Sequence, residues 1–327
     1  MKPNLFDYAT SELSQDAFLC WLLKWGESQF SKTDHALHNV AVQFIQRIFK
    51  AHNPYLTEKI EQVRILRQFK KIDILAIINE TYIILIEDKT YTSNHSDQLR
   101  RYVEIVKSEP TTQHFIPLPV YYKITEQSNY DALDEAGYQL FNRKQMIELL
   151  EQHDSEMPMN VILEDYLHHL KRLDSEINSY KTLPVHAWNS FSWQGFYCNL
   201  QDRLEGSWGY VANANGGFWG FWWKGNKQQH HYWQLEETVL RAKIEAKEHP
   251  DIKAHRDMCM SILMKDSSEC DLKLKRPKRI STGKNMTIAY RENYLQLQEN
   301  GLLDFEKTVF ELERYGQYKQ SVKLEEV

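Results

Sequence analysis

The sequence predicts an α/β protein in two parts: a central mixed sheet flanked by helices over residues 1–180, and a smaller α+β domain over residues 187–327. Three observations lead there. Ile72 to Lys89 (IDILAIINETYIILIEDK) reads as two apolar strands joined by a tight turn, without the polar alternation of a strand that has one wet face. The segments around it run in the order helix, hairpin, helix, strand, helix. Beyond residue 187 the composition changes, and aromatic residues crowd Trp188 to Trp233 between turn signals.

Taken in order, LFDYATSELSQDAFLCWLLKWG places Glu12 at the opening of a helix that is apolar nearly all round from Phe18 to Trp25, as a buried helix would be. Asn39 to Phe49 has helical spacing, with Val40, Phe44 and Ile48 on one stripe. Ile60 to Phe69 reads as a strand, with Arg64, Arg67, Lys70 and Lys71 around it as a phosphate-backbone contact or, the preferred reading, a solvated edge. With Asn79-Glu80-Thr81 as the hairpin loop, positions whose numbers sum to 160 face each other, so Asp73 lies opposite Glu87. Side chains alternate along a strand, so Glu87 and Lys89 share a face and Asp88 points the other way. A polar segment from Thr90 to Asp97 leads into QLRRYVEIV, where Gln98 and Tyr102 fall four apart on one helix face. Pro117 to Thr125 reads as a buried strand, Asn142 caps a helix, and a further helix runs from Asn160 to Ile177. Asn178 to His186, which contains Leu183-Pro184, is the expected boundary.

Two carboxylates and an amine at the end of an apolar hairpin are costly unless something compensates them. A divalent cation is one such compensation, because Mg2+ takes one or two carboxylates plus waters and leaves room for a phosphate. Asp73 and Glu87 would be its ligands, with the backbone carbonyl of Asp88 as a third. Lys89 would then orient or deprotonate an attacking water, or stabilise a phosphate oxygen. Glu12, in the first turn of a buried helix, brings a further charge. A strand-end salt bridge with nothing bound is the alternative, and the hairpin alone leaves both open.

In chain order these are a helix-borne Glu12, a strand Asp73, a strand Glu87-x-Lys89 and a helix with Gln98-x-x-x-Tyr102. The combination resembles the PD-(D/E)XK nuclease superfamily over roughly residues 4–170. QLRRY is similar to the helix motif of its RecB-like branch, and LFDYATSELSQDAFLCWLL is similar to the start of a bacterial subgroup. The resemblance implies a restriction-endonuclease-like core, with Asp73 and Glu87 as metal ligands and Lys89 as the catalytic lysine. It makes Glu12 the N-terminal acidic residue, and Gln98 and Tyr102 supporting or DNA-facing. Ile72 departs from the superfamily's variable proline, a position that binds nothing. The resemblance further implies Mg2+, with Mn2+ as a substitute, a nucleic-acid substrate expected to be DNA, and a setting in phage defence, restriction or repair. Two other readings stay open: a nucleic-acid-binding module without turnover, and an interaction protein whose aromatic half binds a partner subunit. A homodimer is open as well.

A net charge of −5 gives no general attraction to nucleic acid, so contacts must come from local basic patches. Lys273, Lys275, Arg276, Lys278, Arg279 and Lys284 have one nearby acid, Asp271, and are the strongest phosphate-binding candidates outside the core, against a solvated loop as the alternative. The dense aromatics fit either a base-stacking platform or the inside of a small sheet, and the inside is the preferred reading. Asn215-Gly216-Gly217 marks a turn there. Leu240 to Lys247 reads as a strand with one wet face and Asp251 to Lys265 as a helix. Lys284 closes a turn with Thr282-Gly283, Met286 to Tyr290 is a strand, and Phe305 to Tyr318 is a terminal helix.

Cys20, Cys198, Cys259 and Cys270 form no C-x-x-C pair, and reduced buried thiols in the cytoplasm are expected. No signal-peptide pattern and no run of membrane-spanning length occurs, so no membrane role is expected. Glu245-Ala246-Lys247 repeats the Glu-x-Lys spacing but has no upstream Asp on a partner strand. His230-His231 and Asp34, His35 and His38 lack companions at zinc spacing and are expected at the surface. No P-loop, G-x-G-x-x-G or G-x-S-x-G is present, which removes support for an ATPase or a serine hydrolase.

Overall fold

A computed structural model describes residues 2–90, 97–152, 159–214, 216–225, 229–245, 251–280, 283 and 285–321. The chain divides into two compact units, Met1–Ser175 and Glu176–Val327. The first carries, in order, α1 (Glu12–Trp25), α2 (His35–His52), β1 (Val63–Phe69), β2 (Ile72–Ile78), β3 (Tyr82–Lys89), α3 (Gln98–Ser108), β4 (Ile116–Lys123), α4 (Asp131–Ala136), β5 (Gln139–Asn142), α5 (Arg143–Glu151) and α6 (Val161–Asn178), whose last three residues belong to the second unit. Its sheet runs β1-β2-β3-β4-β5, antiparallel across the first three strands and parallel from β3 to β5.

The β2–β3 hairpin has the register that its loop dictates, with Ile74 opposite Ile86 and Ile78 opposite Tyr82. Asn79 and Glu80 both take left-handed φ, 53° and 48°, and the Thr81 N–H returns to the Ile78 carbonyl at 3.0 Å. Two successive positive φ angles give a turn whose twist matches the strands it joins. The Asn79 side chain also holds the approach to β1: its Oδ1 accepts from the Glu61 and Gln62 amides at 2.8 and 3.1 Å, and its Nδ2 donates to the Lys59 carbonyl at 2.7 Å.

Every residue of β3 is buried, and all of β2 except Asp73. On one face Leu75, Ile77, Ile83 and Leu85 pack with Leu99, Tyr102, Val103 and Val106 of α3 and with Leu133 and Tyr138. On the other, α1 lies on β1 to β3 and α2 on β4 and β5. Asp34 caps α2 through the Leu37 amide at 2.9 Å, and Asn142 starts α5 with a capping box to Gln145. The strand expected from Ile60 begins at Val63. Strand β5 and helix α4 are additions to the expected order; Gly137, at φ 74°, ends α4 so that Tyr138 turns straight into the fifth strand.

The second unit comprises α7 (Ser190–Gln201), β6 (Gly206–Asn213), β7 (Gly216–Lys224), β8 (Tyr232–Glu236), β9 (Val239–Glu245), α8 (Ile252–Glu269), β10 (Asn285–Glu292) and α9 (Phe305–Gln317). Its sheet is antiparallel in the order β10-β9-β8-β7-β6. Trp193, Phe196 and Tyr197 lie on a helix, α7, and not on a strand. Gly195 lets that helix approach the Ile177 carbonyl, because a Cβ there would stand 1.9 Å from the oxygen. Gly216 and Gly217, at φ 111° and 132°, begin β7 and do not form its turn; Asn215, Thr282, Ala246 and Lys247 lie outside the described residues. Trp208, Phe221, Trp223, Trp233, Leu235 and Ala242 alternate onto one face and join Leu263, Val309, Leu312 and Tyr315 in the core.

His38 is half-buried, its Nδ1 2.8 Å from the Trp25 carbonyl, and His230 is exposed. His231, expected at the surface, is buried. It stands two positions before Trp233, and so falls on the core side, where its ring meets Trp233 edge-on at 4.7 Å. Cys20 and Cys259 are buried as expected, whereas Cys270 is exposed. Among the described residues no helix is long and apolar enough to cross a membrane.

Burial pushes the His231 imidazole down to about 3, against 6.5 in an unfolded chain. The unfolded chain therefore binds the extra proton between those values, and this stability is complete above pH 6.5 and lost as the pH falls toward 3. Between pH 7 and pH 5 this residue should remove about 2 kcal/mol of stability. Replacing His231→Gln should flatten that part of the melting-temperature profile; an unchanged pH dependence would contradict the assignment.

Candidate active site

The ends of β2 and β3 and the start of α3 place Asp73, Glu87, Lys89, Gln98 and Tyr102 on one layer. The Lys89 ammonium lies 2.7 Å from Glu87 Oε1. Gln98 Nε2 donates to the same oxygen at 2.8 Å and to the Tyr102 hydroxyl at 3.1 Å, so the four-residue helical spacing fixes the orientation of the glutamate. Asp73 Oδ2 accepts from the Asp88 amide at 3.1 Å, across the last open rung of the hairpin. Glu12, at the first position of α1, accepts from the Thr90 amide at 3.4 Å. Its charge is felt by Asp73 and Lys89.

Asp88 faces the opposite layer. Gln15 Nε2 donates to Asp88 Oδ1 at 2.5 Å, the Tyr166 hydroxyl donates to Gln15 Oε1 at 3.1 Å, and Tyr166 and Tyr122 share a hydrogen bond at 2.8 Å. Asp16 and Asp88 lie close enough for each to influence the other's ionisation. Parallel pairing of β3 with β4 sets Lys123 beside Lys89, and the Lys123 ammonium donates to the Thr90 carbonyl at 3.4 Å. Asp16, Gln15 and Lys123 were not among the residues expected from the sequence, and neither was Tyr138. Its buried hydroxyl makes no hydrogen bond among the described residues and is held above its usual range by burial and then by the charge of Glu87.

Glu12, Asp16, Asp73, Glu87 and Asp88 make five carboxyl groups against two amines, Lys89 and Lys123. The electrostatics follow from that excess and from burial. Glu87 is pushed up to about 7, by burial first and by the charge of Asp73 second, with Lys89 opposing. Asp16 is pushed up to about 7 by burial and by Asp73. Burial raises Asp88 well above the carboxylate range, and raises Asp73 as well. Lys123 is pushed down to about 8 by burial, against the charges of Glu12 and Asp88. Burial also works to lower Lys89, but its bond to Glu87 and the surrounding acids outweigh it, and its pKa is raised. Groups paired this way near neutrality are those that proton-transfer chemistry uses.

The residues present suit a hard cation. Glu87 Oε2 is buried and accepts no hydrogen bond among the described residues, and the surplus of negative charge is of the kind that a divalent ion relieves. Among the described residues no group of three or more His, Cys, Asp or Glu side chains is arranged to enclose a metal. The fit is to a hard cation held through one or two carboxylates with its waters retained, and not to a closed structural site.

Away from this cluster, Lys273, Lys275, Arg276, Lys278 and Arg279 are exposed, and Lys284 lies outside the described residues. Lys273 is 3.9 Å from Asp271, as its neighbourhood in sequence suggests, but Lys275 pairs with Glu292 at 3.0 Å. That acid is distant in sequence and arrives because Lys275 bridges to Tyr290 at the edge of β10.

A family model described as the PD-(D/E)XK nuclease superfamily matches residues 3–174. Comparison with curated proteins and with solved structures returns no match.

Because Glu87 carries a raised pKa in the folded chain, its contribution to stability is complete below pH 4.5 and is lost as the pH rises through 7. In metal-free buffer Glu87→Gln should therefore gain on the parent by roughly 2–3 kcal/mol between pH 5 and pH 8, read from denaturant unfolding at the two pH values. An equal difference at both would show that Glu87 is not held in its protonated form.

Proposed function

The chain belongs to the PD-(D/E)XK nuclease superfamily, and from that membership we propose that it is a metal-dependent phosphodiesterase that hydrolyses nucleic acid, with DNA as its polymer and Mg2+ as its cation. Asp73 and Glu87 would hold the cation, with the Asp88 carbonyl as a further oxygen. When bound, Mg2+ supplies charge stabilisation at the phosphoryl and leaving oxygens and increases the acidity of an attacking water.

The chain's own groups divide the remaining work. Lys89, an ammonium at rest, orients the attacking water and stabilises the phosphoryl oxygen on which charge develops. Gln98, itself bonded to Tyr102, holds Glu87 Oε1 from the helix side together with Lys89, which leaves Oε2 to face the cation. Glu87 first and Glu12 after it keep Lys89 protonated at rest against the effect of burial. The observation that carries this reading is Glu87 itself: fully buried, tied by one oxygen to an amine and an amide, and left with the other unpaired among the described residues.

Lys273, Lys275, Arg276, Lys278 and Arg279 are proposed to contact phosphates outside the core, with Lys284 in the same run of sequence. Membership of the superfamily supports a setting in phage defence, restriction or repair.

The test is direct. Linear, circular and single-stranded DNA are incubated with Mg2+ or Mn2+, and the parent is compared with Lys89→Ala and Glu87→Gln. The parent should cleave, chelation should stop it, and each variant should be slower by about 100-fold or more while remaining folded. Loss of circles would mark an endonuclease, and loss of linear DNA alone an exonuclease. Cleavage at the parental rate by Glu87→Gln would overturn the assignment of the site.

A further inference from the structure

The sheet of the second unit has two faces, and the core occupies one. The other presents a row of side chains that the strand registers align across five hydrogen-bonded neighbours. Ser207 pairs with Trp222, Trp222 with Gln234, Gln234 with Arg241, Arg241 with Tyr290, and Tyr290 with Lys275. At strand spacing this row is about 24 Å long. The adjacent row runs Lys224, Tyr232, Lys243, Thr287. The two rows together hold three aromatic rings, four cations and no acid. Acids border the two rows, and two of them pair with three of the four cations. Glu236 and Glu292 lie one row over, where Glu236 pairs with Arg241 and with Lys243 and Glu292 pairs with Lys275, while Glu205 and Glu245 stand at the rim beside Lys224 and Tyr232.

Trp222 and Tyr232 line a depression of about 630 Å³ on this face, and both are half-buried, with part of each ring in solvent. Gln234 stands between them at 6 % exposure, its Nε2 bonded to Glu236 at 3.0 Å and its carbonyl oxygen without a partner among the described residues. Lys224 is exposed and makes no ion pair among the described residues, and the same holds for Arg276, Lys278 and Arg279, which continue the chain beyond Lys275. Flat rings separated by cations, with a recessed amide that can reach a base edge, are what an unpaired nucleic-acid strand requires: bases stack on the rings and phosphates lie against the amines. A duplex offers no base faces to such a surface.

We propose that this open sheet face binds a single strand of nucleic acid, with bases stacked on Trp222, Tyr232 and Tyr290, a base edge read by Gln234, and the backbone tracked by Lys224, Lys243 and Lys275. The proposal rests on the reading of the chain as acting on nucleic acid and adds the form of that substrate: an unpaired segment.

The experiment uses the full chain in EDTA, so that binding is read without turnover, by fluorescence anisotropy of a labelled single-stranded oligodeoxynucleotide and of the duplex of the same sequence. The parent should bind the single strand more tightly. Trp222→Ala should weaken it about tenfold or more, whereas Trp222→Phe, which keeps a ring, should not. Lys224→Glu, a change at an exposed position that cannot disturb the core, should weaken binding and lower its salt dependence; Lys265→Glu, on helix α8, should change neither. Equal or tighter binding of the duplex, or single-strand binding that Trp222→Ala and Lys224→Glu leave unchanged, would overturn the proposal. Glu87→Gln separates this result from the hydrolytic reading: it should bind the strand as the parent does. If it loses cleavage while Trp222→Ala binds normally, the sheet face is excluded and the nuclease site stands.

Discussion

Five carboxyl groups collected behind the ends of two neighbouring strands are the constraint to which the rest of the first unit answers. Two buried acids at the end of an apolar hairpin would cost several kcal/mol if left to themselves. The fold offsets this by three routes. Lys89 and Gln98 hold Glu87 on the α3 side, the Asp88 amide holds Asp73, and on the α1 side a chain of hydrogen bonds runs from Asp88 through Gln15 to Tyr166 and Tyr122. What these partners do not neutralise shows as carboxyl groups that retain protons near neutrality, Glu87 and Asp16 among them. A cluster built for stability alone would be replaced at little cost by apolar side chains. Its placement on the rim of an otherwise oily sheet is what a cation and a phosphate would require.

Much of this was legible because it is local. The Asn79-Glu80-Thr81 loop fixes the hairpin register, and the register alone sets Asp73 across from Glu87. The strand period puts Lys89 beside Glu87, and the helix period puts Gln98 next to Tyr102. Lys123, Asp16 and Gln15 were hidden for the opposite reason. Lys123 reaches the site through a parallel pairing that joins residues 34 positions apart, and parallel register leaves no signature in either strand alone. Asp16 and Gln15 sit in SQDAF, a stretch that reads as an ordinary first helical turn until α1 is laid across the sheet. Strand β5, four residues long, is too short to show a period.

The second unit shows the limit of composition as a guide. Its aromatic residues divide among three environments: a helix (Trp193, Phe196, Tyr197), the core face of a sheet (Trp208, Phe221, Trp233) and the open face (Trp222, Tyr232). A count of rings cannot separate these. Neighbouring residues in β7 make the point, since Trp223 is core and Trp222 is not, and the pleat alone decides. Likewise the basic run from Lys273 lacks acids nearby in sequence, yet Lys275 finds Glu292 through an edge bridge. Charge balance on a sheet is set by register, which is a property of pairs of strands.

The central claim, that the carboxyl cluster is a cation site whose protons a metal displaces, is tested most directly by calorimetric titration of Mg2+ or Mn2+ in buffers of different ionisation enthalpy. The account predicts binding that releases about one proton at pH 6, fewer at pH 8 where Glu87 is already ionised, and none in an Asp73→Asn variant that no longer binds. Binding without proton release at pH 6, unaffected by Asp73→Asn, would contradict it.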